Sequence, residues 1–172
     1  MHKYFTLLLV TLLLSFSNVA FSQNKNAIIE QIKKEFARIN TDTALKKVLL
    51  VEDEFKTGTD RGGELTGYFK NKQIVKIRAW IGISNGFYIT EYFLKNNELI
   101  FVYKIFNTYM YDEKQNKFDE SIVDRKFEGR YYFNNKKLID KIAIGDAQTN
   151  TDEASLLKEA NEYMFLLNKK HK

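Results

Sequence analysis

At 172 residues the chain is long enough for one domain with a sizeable core, and short for two. Its 27 Lys and Arg against 22 Asp and Glu leave a net charge of +5, too mild and too dispersed for a dedicated nucleic-acid binder. There is no cysteine and no proline, which excludes disulfides, thiolate metal sites and cysteine nucleophiles, and leaves the turns to Gly, Asn and Asp.

Met1-His2-Lys3 is a basic start, and residues 4–14 form an apolar run broken only by Thr6 and Thr11. Residues 15–22 are rich in small side chains. This layout predicts a secretory signal peptide over residues 1–22, cut between Ser22 and Gln23. The apolar run is shorter than the ~20 residues of a spanning helix, and without a cysteine at the cut site no lipid anchor is expected. The expected product is an exported, periplasmic or secreted protein. It is a single domain over residues 23–172, a monomer, with no membrane span after cleavage.

Residues 27–39 carry Ile28, Ile29, Ile32, Phe36 and Ile39 at helical spacing, with charges on the rest of the circumference, and predict an amphipathic helix. A first strand is expected over residues 46–55 and a Gly-bearing loop over residues 56–63. From residue 63 to 111 aromatic and β-branched residues alternate between short turns, the signature of a β-meander. Its strands are read at residues 64–70, 73–81, 87–95 and 98–111. A long strand ending at Phe133 and a last one over 136–144 follow, with turns at Asn71-Lys72, residues 82–86, Asn96-Asn97 and Asn134-Asn135. One hairpin recurs: Tyr68-Phe69 before Ile74, Tyr92-Phe93 before Leu99-Ile100, and Tyr132-Phe133 before Leu138-Ile139. A closing helix over residues 152–168 places Leu156, Leu157, Ala160, Tyr163, Met164 and Leu167 on one stripe. Asn150 and Glu153 are read as its capping box. The fold class is therefore α+β: a single twisted antiparallel sheet of six to seven strands, both helices packed on one face.

Alternation along the strands predicts one greasy face, Val75, Ile77, Ala79 and Ile81, and an opposite amphipathic one. Arg78 and Trp80 lie on the second, and Tyr88, Tyr92 and Arg130 are read as joining them. Aromatic and guanidinium groups on a rigid sheet make a recognition surface. The plainer reading is a second small apolar layer with Lys and Arg stems laid over it.

Catalytic signatures are few. Gly82-Ile83-Ser84-Asn85-Gly86 matches the G-x-S-x-G nucleophile elbow, but strands flank it on both sides, and after leader removal His171 in the charged tail is the only histidine. It is read as a hairpin turn. A His/Cys zinc site cannot be assembled, and no phosphate loop or dinucleotide fingerprint is present. No cofactor is expected, and no metal: residues 112–120 interrupt their carboxylates with lysine and lack a turn glycine. Glu52, Asp53, Glu54, Asp60, Glu64 and Glu91 leave a carboxylate acid/base pair conceivable. Lys70, Lys72, Lys76 and Arg78 with Trp80 would be the nucleic-acid reading, diluted by Glu64, Glu91 and Glu98.

The segments Gly63-Glu64-Leu65-Thr66-Gly67-Tyr68-Phe69, Ile74-Val75-Lys76-Ile77, Thr90-Glu91-Tyr92-Phe93 and Gly129-Arg130-Tyr131-Tyr132-Phe133 resemble small exported proteins of Bacteroidota. Those have a signal peptide, a helix, an antiparallel meander and a final helix. The resemblance implies fold and compartment, and carries no site residue. The function expected is a non-enzymatic exported binding protein whose open sheet face takes a small molecule, glycan, peptide or protein. The alternatives are a carboxylate-dependent hydrolase of cell-wall or polysaccharide bonds, and a structural or inhibitor-type interaction protein.

Overall fold

The computed structural model describes residues 24–55, 58, 60–146 and 151–171. The expected signal peptide and Asn150 lie outside them. Helix α1 covers residues 24–41. There follow β1 (Lys46–Val51), the short α2 (Glu52–Phe55) and six strands: β2 (Gly63–Lys70), β3 (Gln73–Ile83), β4 (Gly86–Lys95), β5 (Glu98–Asp112), β6 (Lys117–Asn134) and β7 (Lys137–Gly145). Helix α3 (Glu153–His171) closes the chain. The seven strands form one antiparallel sheet in chain order, β1 to β7, so the α+β meander expected from the pattern is present.

Two boundaries differ from expectation. The first strand stops at Val51, because the acidic triplet Glu52-Asp53-Glu54 makes a helical turn. Glu54 accepts a hydrogen bond from the Val51 backbone N–H at 3.3 Å, half of a capping box, and Phe55 turns inward against Tyr163, 5.8 Å away. At the other end Asp152 caps α3, accepting from the Ser155 N–H at 2.7 Å.

Asn71-Lys72, Asn96-Asn97 and Asn135-Lys136 all have positive φ, the geometry of two-residue turns whose twist matches that of the strands. The last turn sits one residue later than expected, since Asn134 still pairs, with Lys137. Beyond each turn the register slips by one residue, leaving Val75, Ile100 and Ile139 as bulges. A bulge puts two successive residues on one face. Ile100 and Ile139 are the second members of the recurring aliphatic pairs and Val75 follows Ile74 in the corresponding place; all three join the apolar cluster under α1, with Ile28, Ile29, Ile32, Phe36 and Ile39. The recurring hairpin is thus the seat of the N-terminal helix.

The helices do not share a face. Neighbouring residues along each strand divide between two clusters: Ile77, Tyr92, Val102, Tyr131 and Phe133 pack with Leu156, Ala160 and Leu167 of α3, whereas Val75, Phe93, Phe101 and Tyr132 pack with α1. Side chains alternate across a sheet, so α1 and α3 cover opposite sides. The expectation of both helices on one face is corrected on this point. Two amphipathic helices at the chain ends fit either arrangement; here the bulged residues Val75, Ile100 and Ile139 all lie in the cluster under α1.

Candidate functional site

The strand register sorts the α1 side of the sheet into transverse rows. One row runs Lys47, Tyr68, Lys76, Phe93, Phe101, Tyr132, Asp140. Helix α1 lies along it. Phe36 packs against Phe93 and Phe101, with ring centroids 4.8 and 5.4 Å away. Lys25 pairs with Asp140 at 2.8 Å at one end, and Asn40 accepts from Lys76 at 2.9 Å at the other.

The helix goes no further up the sheet. Among the described residues no helix lies over the next row, Leu49, Thr66, Arg78, Glu91, Tyr103, Arg130, Ile142, or over the one beyond it, Val51, Glu64, Trp80, Ile89, Ile105, Glu128, Ile144, although Thr66 and Ile105 are buried. Four of the exposed large aliphatic side chains, Leu49, Val51, Ile142 and Ile144, sit at the two edges of these rows. Where the open rows meet α1 there is a cleft of about 480 Å³. Its floor is Phe101, Tyr103 and Tyr132, its wall is Ile32 and Phe36, and its rim carries Lys33, Glu91 and Arg130.

Trp80 is half-buried, with its ring 6.1 Å from Phe87. The indole lies over Gly82, where even a β-carbon would stand 2.7 Å from Trp80 Cη2. That glycine is therefore what lets the indole lie down on the sheet. Ion pairs lace the surface: Lys76 to Glu91 at 2.7 Å, Arg78 to Glu64 at 3.9 Å, and both Arg125 and Arg130 to Glu128. Partly exposed pairs of this kind hold side chains in place and contribute little stability. Burial, with Glu128 close by, raises the pKa of the Tyr103 hydroxyl above the usual tyrosine value, so it stays a neutral donor.

No protein family, curated protein or solved structure matches the chain. The reading of this surface therefore rests on its own geometry.

Arg78, Trp80 and Arg130 share the open face. Tyr88 and Tyr92 are on the other one. A two-residue turn at Ser84-Asn85 sets Ile83 opposite Gly86, so even-numbered residues of β3 share a face with odd-numbered residues of β4. Arg78 therefore faces Glu91, while Tyr92 lies beside Ile77 under α3. Tyr92 is 1 % exposed and donates to Glu159 of α3 at 2.6 Å, and Tyr88 stacks on Phe106 at 4.5 Å. Both are corrected from surface ligands to the far side. The turn alone could have revealed Glu91. Tyr103 could not be found that way, because the bulge at Ile100 reverses the count between β4 and β5.

The carboxylates do not converge. Asp60 accepts from Ser84 at 2.5 Å in the loop, while Glu64 and Glu91 stand on strands separated by β3, each beside its own cation. The G-x-S-x-G match is a hairpin turn, with strands ending at Ile83 and resuming at Gly86. Among the described residues no three His, Cys, Asp or Glu side chains gather as a metal site requires, and no helix is long and apolar enough to cross a membrane.

Proposed function

We propose that this chain is an exported, non-catalytic binding protein that captures an extended peptide segment of a partner across the uncovered half of the α1 face. The observation that carries the reading is the limit of α1: it stops one row short of Arg78, Glu91, Tyr103 and Arg130 and leaves an aromatic-floored cleft at its flank. A mostly apolar hollow with a few charged groups at its mouth suits an anchoring side chain and fixes its orientation. At about 4.8 Å per strand, a row of seven residues spans roughly 29 Å, the length of an extended peptide of about nine residues.

The surface also favours a charge. Lys33, Lys76, Arg78, Arg125 and Arg130 outnumber Glu30, Glu64, Glu91 and Glu128 by one, Glu30 being the partner of Lys33. The ligand is accordingly a peptide with an aromatic or branched aliphatic anchor flanked by acidic residues. The basic apolar leader of residues 1–22 supports export, where such a segment would belong to a cell-envelope or extracellular partner.

Trp80 is the only tryptophan in the protein, which gives the test its reporter. Peptides selected from a random displayed library against the protein lacking residues 1–22 should change Trp80 emission on titration. Arg130→Glu should weaken them at least tenfold, about 1.4 kcal/mol. Selected peptides that leave Trp80 emission untouched and bind Arg130→Glu equally well would sink the assignment.

A further inference from the structure

Lysine collects at one end of the sheet. In an antiparallel meander every second turn lies at the same end, so the turns after β2, β4 and β6 stand side by side. They read Asn71-Lys72, Asn96-Asn97 and Asn135-Lys136, flanked by Lys70, Lys95 and Lys137. Strand β1 starts there as well, with Lys46 opposite Phe69. The last turn of α3 reaches that corner too: His171 stacks on Phe69 at 4.0 Å and brings Lys169 with it. Charge that is dispersed along the chain is thus gathered by the topology.

The acids near this end are already engaged. Asp42 holds Lys70 at 2.6 Å, Glu35 holds Arg38 at 2.6 Å, Asp140 holds Lys25 at 2.8 Å, and Glu98 stands opposite Lys95. Among the described residues no carboxylate pairs with Lys46, Lys72, Lys136, Lys137 or Lys169, and all of these lysines are exposed. The far end has the opposite bias. Glu52 and Asp53 follow β1, Asp112 and Glu113 stand beside Lys114 and Lys117 at the turn after β5, and Asp146 follows β7. Lys72 and Lys136 also hold a left-handed backbone that glycine adopts at lower cost, so the turn itself gives no reason for lysine at either position.

We propose that this end of the sheet docks on a phospholipid surface rich in anionic headgroups, with the three turns against it. Reach decides the class. The turns of Lys72 and Lys136 are four strands apart, roughly 19 Å at about 4.8 Å per strand. A single small anion meets one or the other, and only an extended array of charge answers both. Shape decides between arrays. A linear polyanion such as a nucleic-acid strand is held along a groove with aromatic side chains stacked on it. These turns project, and Phe69 beside them is buried under His171. A cluster of about four to eight basic side chains suits an anionic leaflet. The open rows lie on the far side of α1 from these turns, so a docked molecule leaves them free and neither assignment depends on the other.

The test is co-sedimentation with vesicles of phosphatidylcholine alone, or of phosphatidylcholine and phosphatidylglycerol in equal parts. The protein lacking residues 1–22 is used, because the apolar leader would itself enter a bilayer, and every described strand and helix lies after it. It should pellet with the anionic vesicles only, and be released at about 0.5 M salt. Lys72→Gly combined with Lys136→Gly, changes that suit both turns, should weaken binding about tenfold or more. Lys114→Gln combined with Lys117→Gln removes the same charge from the far end and should leave binding unchanged. Failure to pellet with the anionic vesicles overturns the proposal. So does equal loss in the two double variants, which would make net charge the cause, or binding to soluble dextran sulfate without binding to the vesicles.

Discussion

The Phe36 ring rests 4.8 Å from that of Phe93, inclined to it by 54°, and this contact marks where the covered part of the sheet ends. Phe93 is fully buried, and among the described residues no helix lies over the row above it, from Arg78 to Arg130. Phe36 thus helps hold α1 on the sheet and lines the cleft.

Truncating Phe36 should loosen that attachment. Phe36→Ala removes its ring contacts with Phe93 and Phe101, and because Phe36 is only half-buried the cost should be about 2–4 kcal/mol, at or below the range for fully buried phenylalanine. Urea unfolding monitored by circular dichroism measures it. A loss below about 0.5 kcal/mol, the scale of an ordinary surface change, would mean that α1 is not held by this pair.

The alkaline limb of the stability curve should be steep. Burial raises the pKa of Tyr92 well above the ordinary tyrosine value, and that of Tyr163 likewise, with Glu159 adding to both. A raised folded-state pKa means the folded chain holds its phenol protons after the unfolded chain begins to lose them. The contribution is complete below about pH 10 and is lost as pH climbs from there through the folded values. Thermal midpoints measured from pH 8 to 11 should fall above pH 10. Tyr92→Phe should flatten that fall while costing about 1–2 kcal/mol at neutral pH through the lost hydrogen bond. An unchanged alkaline slope in the variant would contradict the assignment.

Two turns carry lysine where glycine suits the backbone better. Lys72 has φ of 68° and Lys136 of 60°, each the second residue of an Asn-Lys hairpin turn. Left-handed backbone costs a residue with a β-carbon about 1 kcal/mol, partly offset by the greater freedom glycine brings to the unfolded chain. Lys72→Gly and Lys136→Gly should each stabilise by about 0.5 kcal/mol and add when combined. Denaturant midpoints test this, and destabilisation by either change would show that the lysine side chain does more than occupy the turn.

The resting place of Trp80 can be moved deliberately. A β-carbon at position 82 meets Trp80 Cη2 at 2.7 Å, Arg61 Cβ at 2.8 Å and the Arg61 backbone oxygen at 2.9 Å, so Gly82→Ala should lift the indole off the sheet and push back the loop at Arg61. Emission should shift to the red and acrylamide quenching should rise, with a stability loss of about 1–3 kcal/mol from the crowding. Unaltered emission would place the indole elsewhere.

Much of the fold was legible because its signals are local. The stripes Ile28 to Ile39 and Leu156 to Leu167 have helical spacing, and each lies in an apolar cluster as a set. The Asn turns announced the hairpins because few residues tolerate positive φ. The site was less legible. Arg78, Trp80 and Arg130 share the face expected of them, while Tyr88 and Tyr92 lie on the other, because alternation within one strand says nothing about parity in the next.

The chain by itself determined that a meander of aromatic hairpins would form one antiparallel sheet with a helix at either end, since periodicity and turn chemistry act over a few neighbouring residues. Only the tertiary structure decided which faces those helices take and which row stays bare. That choice depends on register, and register here turns on the single-residue bulges at Val75, Ile100 and Ile139 and on two further shifts between β5 and β6, none of which the alternation pattern shows.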